Sequence, residues 1–148
     1  MNRIILIFLI YIFKFSILSS SETKLKELID GFNSPWSISF INEDNILVTE
    51  KSGNLFKINL NTKKVDKLRH NLNILEDGQG GLLEVLYKNN EIFVSYSENR
   101  GNGKSSTSVA KASYKNQDLN FINIFRAEPS INSGLHFGSR LEIKDKYL

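Results

Sequence analysis

From Ser34 onward the apolar positions fall in short runs, many alternating with polar residues, and each run is closed by Gly, Asn, Asp or Lys. That is the period of β-strands joined by tight turns. The run Ser34 to Phe40 ends at the polar turn Asn42 to Asn45, Ile46 to Glu50 ends at Lys51 to Asn54, and Leu55 to Leu60 ends at Asn61 to Lys64. Val65 to Leu68 supplies a fourth strand, so an antiparallel meander is expected within about 35 residues. The same order then recurs: Gly80 to Tyr87, a turn at Lys88 to Asn90, Glu91 to Tyr96, Ser106 to Tyr114, and Leu119 to Phe125.

Trp36 and Leu82 stand 46 positions apart, and so do Ile46 and Ile92. A four-stranded unit repeating at that spacing is the pattern of propeller blades. A single blade cannot bury both faces of its sheet; it stacks them on its neighbours, and a closed ring protects the sheet edges. An ordinary β-sandwich also shows short strands and turns, but it does not require the shared offset. The expectation is an all-β chain, a β-propeller with about two and a half four-stranded blades: one over 34–70, one over 79–126, and the start of a third over 136–148, where Gly138 to Ile143 reads as a strand and Lys144 to Lys146 as its turn. The smallest propellers need about four blades. The chain is therefore expected to be the N-terminal part of a longer protein.

The first 21 residues have a different character. Arg3 gives a short basic start, Ile4 to Phe13 is an unbroken apolar run, and Ser19 to Ser21 offers small residues for cleavage. A spanning helix needs about 20 apolar residues, and Lys14 interrupts this run after about half of them. A secretory signal peptide over 1–21 is expected, followed by a linker over 22–33, with a periplasmic or secreted product that has no membrane association after cleavage.

The formal charge of +3 loses its meaning once Arg3 and Lys14 leave with the leader, because 17 basic and 16 acidic residues remain. Nucleic-acid binding would call for clustered Lys and Arg. The densest basic group, Lys63, Lys64, Lys67 and Arg69, reads as a solvated outer strand and turn. Cysteine is absent, which excludes a disulfide framework, a thiolate metal site and a cysteine nucleophile.

In a propeller the innermost strands line a central channel, so the segments leading into them carry the chemistry. Three such segments are Gly31 to Trp36, Glu76 to Leu83, and the stretch around His136. In the second, three glycines allow positive φ and close backbone approach, and Gln79 is an amide able to donate and accept. No helical pattern and no Lys-Ser/Thr pair follows, so it is no phosphate loop. His136 stands between Gly134 and Gly138, and on a regular strand His136, Gly138 and Arg140 share one face. An imidazole beside an arginine is biased toward its neutral form, the form a general base requires. A histidine satisfied by backbone at a turn is the plainer alternative. His70, in what reads as a polar loop after Lys67 and Arg69, receives no role, and Glu84 is the one carboxylate on the inner strand of the second unit.

Taken together, Ser34-Pro-Trp36, Leu47 to Glu50, Gly53-Asn-Leu55, Gly78-Gln-Gly-Gly-Leu-Leu83, Val94 to Ser97 and His136-Phe-Gly-Ser-Arg-Leu141 resemble the N-terminal part of the soluble, PQQ-dependent aldose sugar dehydrogenases, the glucose/sorbosone dehydrogenase family. The resemblance runs from about Gly31 to Leu148. It implies a six-bladed propeller that holds pyrroloquinoline quinone (PQQ) with basic residues and a calcium ion, oxidises an aldose at its anomeric carbon, and passes electrons to an external acceptor. It further implies that His136 is the general base, that Gln79 faces substrate and cofactor, and that Arg140 lies at the site or ties its strand to a neighbour. Some members carry an acidic residue just before the histidine; here Leu135 stands there. The family's calcium ligands and most of its quinone-gripping residues belong to later blades, so no metal ligand is assigned in this chain, and the 148 residues alone are expected to be inactive. The alternatives are a non-catalytic propeller that binds a protein or glycan, and, less favoured, a lactonase-like propeller with a central metal.

Overall fold

The computed structural model describes residues 23–145 and Tyr147; the expected leader lies outside the described residues. Nine strands are present among them: β1 (Pro35–Asn42), β2 (Asn45–Glu50), β3 (Leu55–Asn59), β4 (Val65–His70), β5 (Leu82–Lys88), β6 (Glu91–Asn99), β7 (Ser105–Ser113), β8 (Asp118–Leu119) and β9 (Ile122–Arg126). They form two sheets, ordered β1-β2-β3-β4-β8 and β5-β6-β7-β9.

Asparagine chemistry sets most of the turns. Asn42 Oδ1 accepts the N–H groups of Asp44 and Asn45 at 3.0 and 2.9 Å, closing the β1–β2 hairpin. Asn59 Oδ1 does the same for Asn61 and Thr62 at 3.1 and 2.8 Å after β3. Side-chain acceptors of this kind stand in for the backbone carbonyl of a turn. Asn89 and Asn90 both adopt left-handed φ, 51° and 61°, the geometry that a two-residue hairpin loop needs to match strand twist.

The two sheets stack on a shared apolar layer. Leu47, Leu55 and Leu68 from the first meet Leu82, Val85, Ile92, Val94, Tyr96, Ala110 and Ala112 from the second. On the far side of the first sheet, Ile46, Val48 and Ile58 are covered by Ile29 and Phe32 of the segment before β1. Ile38 and Phe40 on the first sheet, and Ile122 and Phe125 on the second, remain exposed.

Hydroxyl side chains knit each sheet to the segment that follows. Thr49 in β2 accepts from Ser37 N–H (3.1 Å) and donates to Leu83 O (2.7 Å). Ser95 in β6, 46 positions later, accepts from Glu84 N–H (3.2 Å) and donates to Ser139 O (2.6 Å). Segment 137–139 therefore lies on the second sheet much as the start of β5 lies on the first.

Two expectations need correction. Leu119 to Phe125 is no single strand: Asp118–Leu119 pairs in parallel with the end of β4, and Ile122–Arg126 pairs with β7. Leu119 and Phe121 are buried between the sheets, and inserting both side chains there makes the backbone change sheets between them. The expected strand from Gly138 to Ile143 is absent as well; these residues join no ladder, and Lys144 and Tyr147 make an isolated bridge. A meander strand is held by the strand that pairs with it, and Gly138 to Ile143 meet no such partner among the described residues.

Candidate active site

Asp77 to Gly80 form a tight turn in which Gly80 N–H donates to Asp77 O at 2.7 Å. Gly78 has φ +53°, and a Cβ there would sit 2.3 Å from the carbonyl oxygen of Gly134. Only glycine lets the turn and the 133–138 loop touch backbone to backbone. The contact is tied twice: Gln79 N–H donates to Gly134 O at 2.6 Å, and His136 N–H donates to the Gln79 side-chain oxygen at 3.0 Å. Gln79 and His136, 57 positions apart in sequence, are thereby held side by side.

The backbone around His136 is fixed from both directions. Gly134 is bonded to Gln79, Phe137 O accepts the hydroxyl of Thr107, and Ser139 O accepts that of Ser95. Phe137 is buried, whereas the residues His136 and Gln79 are exposed. The His136 imidazole makes no hydrogen bond or ion pair with the described residues, and Gln79 keeps its amide N–H groups uncommitted among them. The result is an anchored main chain presenting a free imidazole and a free amide donor at one place.

Arg140 is exposed and also makes no bond to the described residues. The alternation argument that put it on the face of His136 does not apply, because His136 and Gly138 both have left-handed φ, 62° and 56°. Glu84 is half-buried in β5. His70 ends β4 rather than standing in a loop, with Nε2 2.8 Å from Gly53 O, Nδ1 accepting Leu72 N–H at 3.3 Å, and its ring edge-on to Phe121 at 6.2 Å.

Other polar groups escaped the sequence reading. Glu50, buried at the end of β2, accepts Asn33 N–H at 2.5 Å and the Asn54 amide at 2.6 Å, fixing the lead-in to β1 against the β2–β3 turn. Glu98, buried at the end of β6, accepts Ser108 Oγ at 2.6 Å, Asn123 Nδ2 at 3.0 Å and Arg126 at 2.8 Å, and its Oε2 lies 3.0 Å from Arg100 Nε. Beside it Tyr96 donates to Asn123 at 2.7 Å, and burial pushes its phenol above the ordinary tyrosine range. A signal for Glu50 was present, since it closes the second strand of its unit; Glu98 lies two residues past Tyr96, where the alternating pattern of the corresponding strand ends.

The family model for Glucose / Sorbosone dehydrogenase matches residues 32–148. The chain belongs to that family. The aldose sugar dehydrogenase YliI of Escherichia coli (strain K12) is 29% identical over an alignment of 136 residues that covers 85% of this chain and 36% of that protein. A solved glucose dehydrogenase aligns with a TM-score of 0.72 at 31% identity, over 78% of this chain and 36% of its own. The PQQ-bound aldose sugar dehydrogenase of Streptomyces coelicolor shares the fold, with a TM-score of 0.67 at 19% identity over 78% of this chain and 36% of its own. This glucose/sorbosone dehydrogenase family chain thus spans a little over a third of the length of these relatives. Its two stacked sheets are blades of a β-propeller.

Proposed function

We propose that this chain contributes the proton-accepting side of a PQQ-dependent aldose dehydrogenase acting outside the cytoplasm, with His136 as general base and Gln79 as the neighbouring binding group. The observation that carries this is the pairing described above: a free, exposed imidazole on an anchored backbone, bonded through its own N–H to the glutamine of the Gly78–Leu83 turn, in a chain of this family. Both groups suit a flat, carbonyl-bearing cofactor and a polyol substrate. The Gln79 amide can donate to a carbonyl or hydroxyl oxygen, and a neutral imidazole can accept a hydroxyl proton.

When bound, PQQ supplies the acceptor for a hydride leaving the anomeric carbon. The work of this chain is to manage the proton. Loss of hydride from an aldose leaves a cationic carbon unless the anomeric hydroxyl proton departs, and then the C–O bond becomes a carbonyl and the product is a lactone. His136 accepts that proton, which lowers the barrier by preventing charge build-up on the substrate. The Gln79 side-chain oxygen is already occupied by His136 N–H, so its NH2 group is the part left to orient a substrate or quinone oxygen. Arg140, with no partner among the described residues, remains available as a weak anion contact. Calcium is a different matter: among the described residues no group of three or more His, Cys, Asp or Glu side chains could hold a metal ion, and no step here runs through one.

The test is aldose-dependent dye reduction by the protein expressed from its complete gene and supplied with PQQ and calcium. Turnover that disappears with His136→Ala supports the reading. Turnover that is absent from the parent protein, with binding of a glycan or protein retained in His136→Ala, overturns it in favour of a binding module.

A further inference from the structure

Lys51 follows the buried Glu50 at the end of β2, in the first blade, and no catalytic motif of the sequence contains it. Three of its groups nevertheless bond the segments that lead into β1 and β5. Its N–H donates to Ser34 O at 3.1 Å, in the lead-in to β1, and its carbonyl accepts Leu82 N–H at 3.0 Å, at the start of β5. Its ammonium donates to the carbonyl oxygen of Gly78. The backbone approach is close: a Cβ on Gly81 would lie 2.2 Å from Lys51 O and 2.6 Å from its Cγ. Glycine at 81 thus allows the second blade's inner strand to begin directly against Lys51.

The carbonyl that the ammonium contacts belongs to the same peptide group as Gln79 N–H. A cation on the oxygen polarises that peptide and makes its N–H a stronger donor, as expected for hydrogen bonds in series. That N–H is the one that donates to Gly134 O at 2.6 Å. Two residues later His136 N–H returns to the Gln79 side chain at 3.0 Å. A continuous chain therefore runs from the Lys51 ammonium through the Gly78–Gln79 peptide to the His136 loop, and it links three successive segments of the fold. Gly78 and Gly134 touch without side chains, so no apolar packing between these two residues duplicates the linkage.

We propose that Lys51 is a positioning residue of this site, setting the distance between the Gln79 amide and the His136 imidazole by anchoring and polarising the Gly78–Gln79 peptide. Its kinetic consequence rests on the dehydrogenase reading above; its structural consequence does not. In the full-length protein, Lys51→Met keeps the stem and removes the charge, whereas Lys51→Arg keeps the charge. Amide hydrogen exchange at Gln79 is expected to quicken about tenfold or more in Lys51→Met and to return to within about threefold of the parent in Lys51→Arg. In the PQQ-loaded enzyme, kcat is expected to fall about tenfold with KM little changed, because a displaced base slows the proton step more than it weakens substrate binding. If Lys51→Met does not fold, Lys51→Gln, too short to reach Gly78 O, gives the same exchange measurement. Parent-like Gln79 exchange in a folded Met or Gln variant overturns the proposal, as does failure of arginine to restore it. Quickened exchange in a protein that oxidises no aldose upholds the role of Lys51 and removes the dehydrogenase reading instead.

Discussion

The two histidines of this chain are a controlled comparison. His70 has both ring nitrogens engaged, one near Gly53 O and one accepting Leu72 N–H, and its ring rests edge-on against buried Phe121. His136 has the reverse arrangement: its main chain is tied to Gln79 while its ring is exposed and free among the described residues. The first imidazole is spent on joining the end of β4 to the β2–β3 turn. The second is held in place without being used up, which is what the proposed role of general base requires. Residue type did not distinguish them, and neither did local charge, since each is near an arginine in sequence. The distinction lies in whether backbone or ring carries the structural bonds.

The largest separation between the two should come from His136→Ala. Turnover of an aldose is expected to fall about 100-fold or more, while the free energy of unfolding stays within about 0.5 kcal/mol of the parent, as for an exposed side chain without partners. Steady-state dye reduction and urea unfolding on the same preparation measure both. An intact rate would end the special status of His136.

Gly78→Ala attacks the contact that presents His136. The new Cβ meets a backbone carbonyl at a left-handed φ, so a loss of about 1–3 kcal/mol is expected, accompanied by reduced turnover. A urea midpoint equal to that of the parent would show that the turn and the loop can separate at no cost.

His70→Ala should do the opposite of His136→Ala. Two hydrogen bonds and a ring contact are lost, for about 1–2 kcal/mol of stability, with kcat unchanged within about twofold. A turnover defect larger than the stability defect would show that the His70 region is coupled to the site.

The smallest effect belongs to the exposed ion pair that ends the first sheet. Arg69 Nε lies 2.5 Å from Asp118 Oδ1, and its hydrogen bond and charge hold the Asp118 carboxyl below the ordinary carboxylate value and raise the Arg69 guanidinium. A carboxylate with a depressed folded pKa contributes stability that is present above its unfolded pKa and is lost as the pH falls through the lowered folded value. Asp118→Asn should therefore lower the thermal midpoint slightly at neutral pH, and the gap should close in acid. A gap that widens in acid contradicts the pairing.

The strand order was legible because its punctuation is chemical. Asn42, Asn59 and the Asn89-Asn90 pair close turns through their own side chains or through left-handed φ, and such turns act over three or four residues. The fourth strand of the second unit was misread because burying Leu119 and Phe121 against the first sheet outweighs continuing one ladder. Nothing within 119–125 states that preference; it depends on Leu47, Leu55 and Leu68, more than 50 positions earlier. At the site, Gln79 and His136 stood out through the glycines around them. Lys51 did not, since its partner Gly78 is 27 positions away and a lysine after a strand is ordinarily a solvated one. Thr49 and Ser95 could have been found by carrying the 46-residue offset one step further along β2 and β6.

By itself the sequence determined the period, the turns and the all-β character, because each depends on neighbours close along the chain. The tertiary structure decided which histidine keeps its ring free among the described residues, which strand crosses between sheets, and how a lysine of the first blade reaches the turn of the second. Those outcomes are set by where apolar side chains find room and where backbone donors find acceptors, and these are properties of surfaces that meet only after the chain has folded.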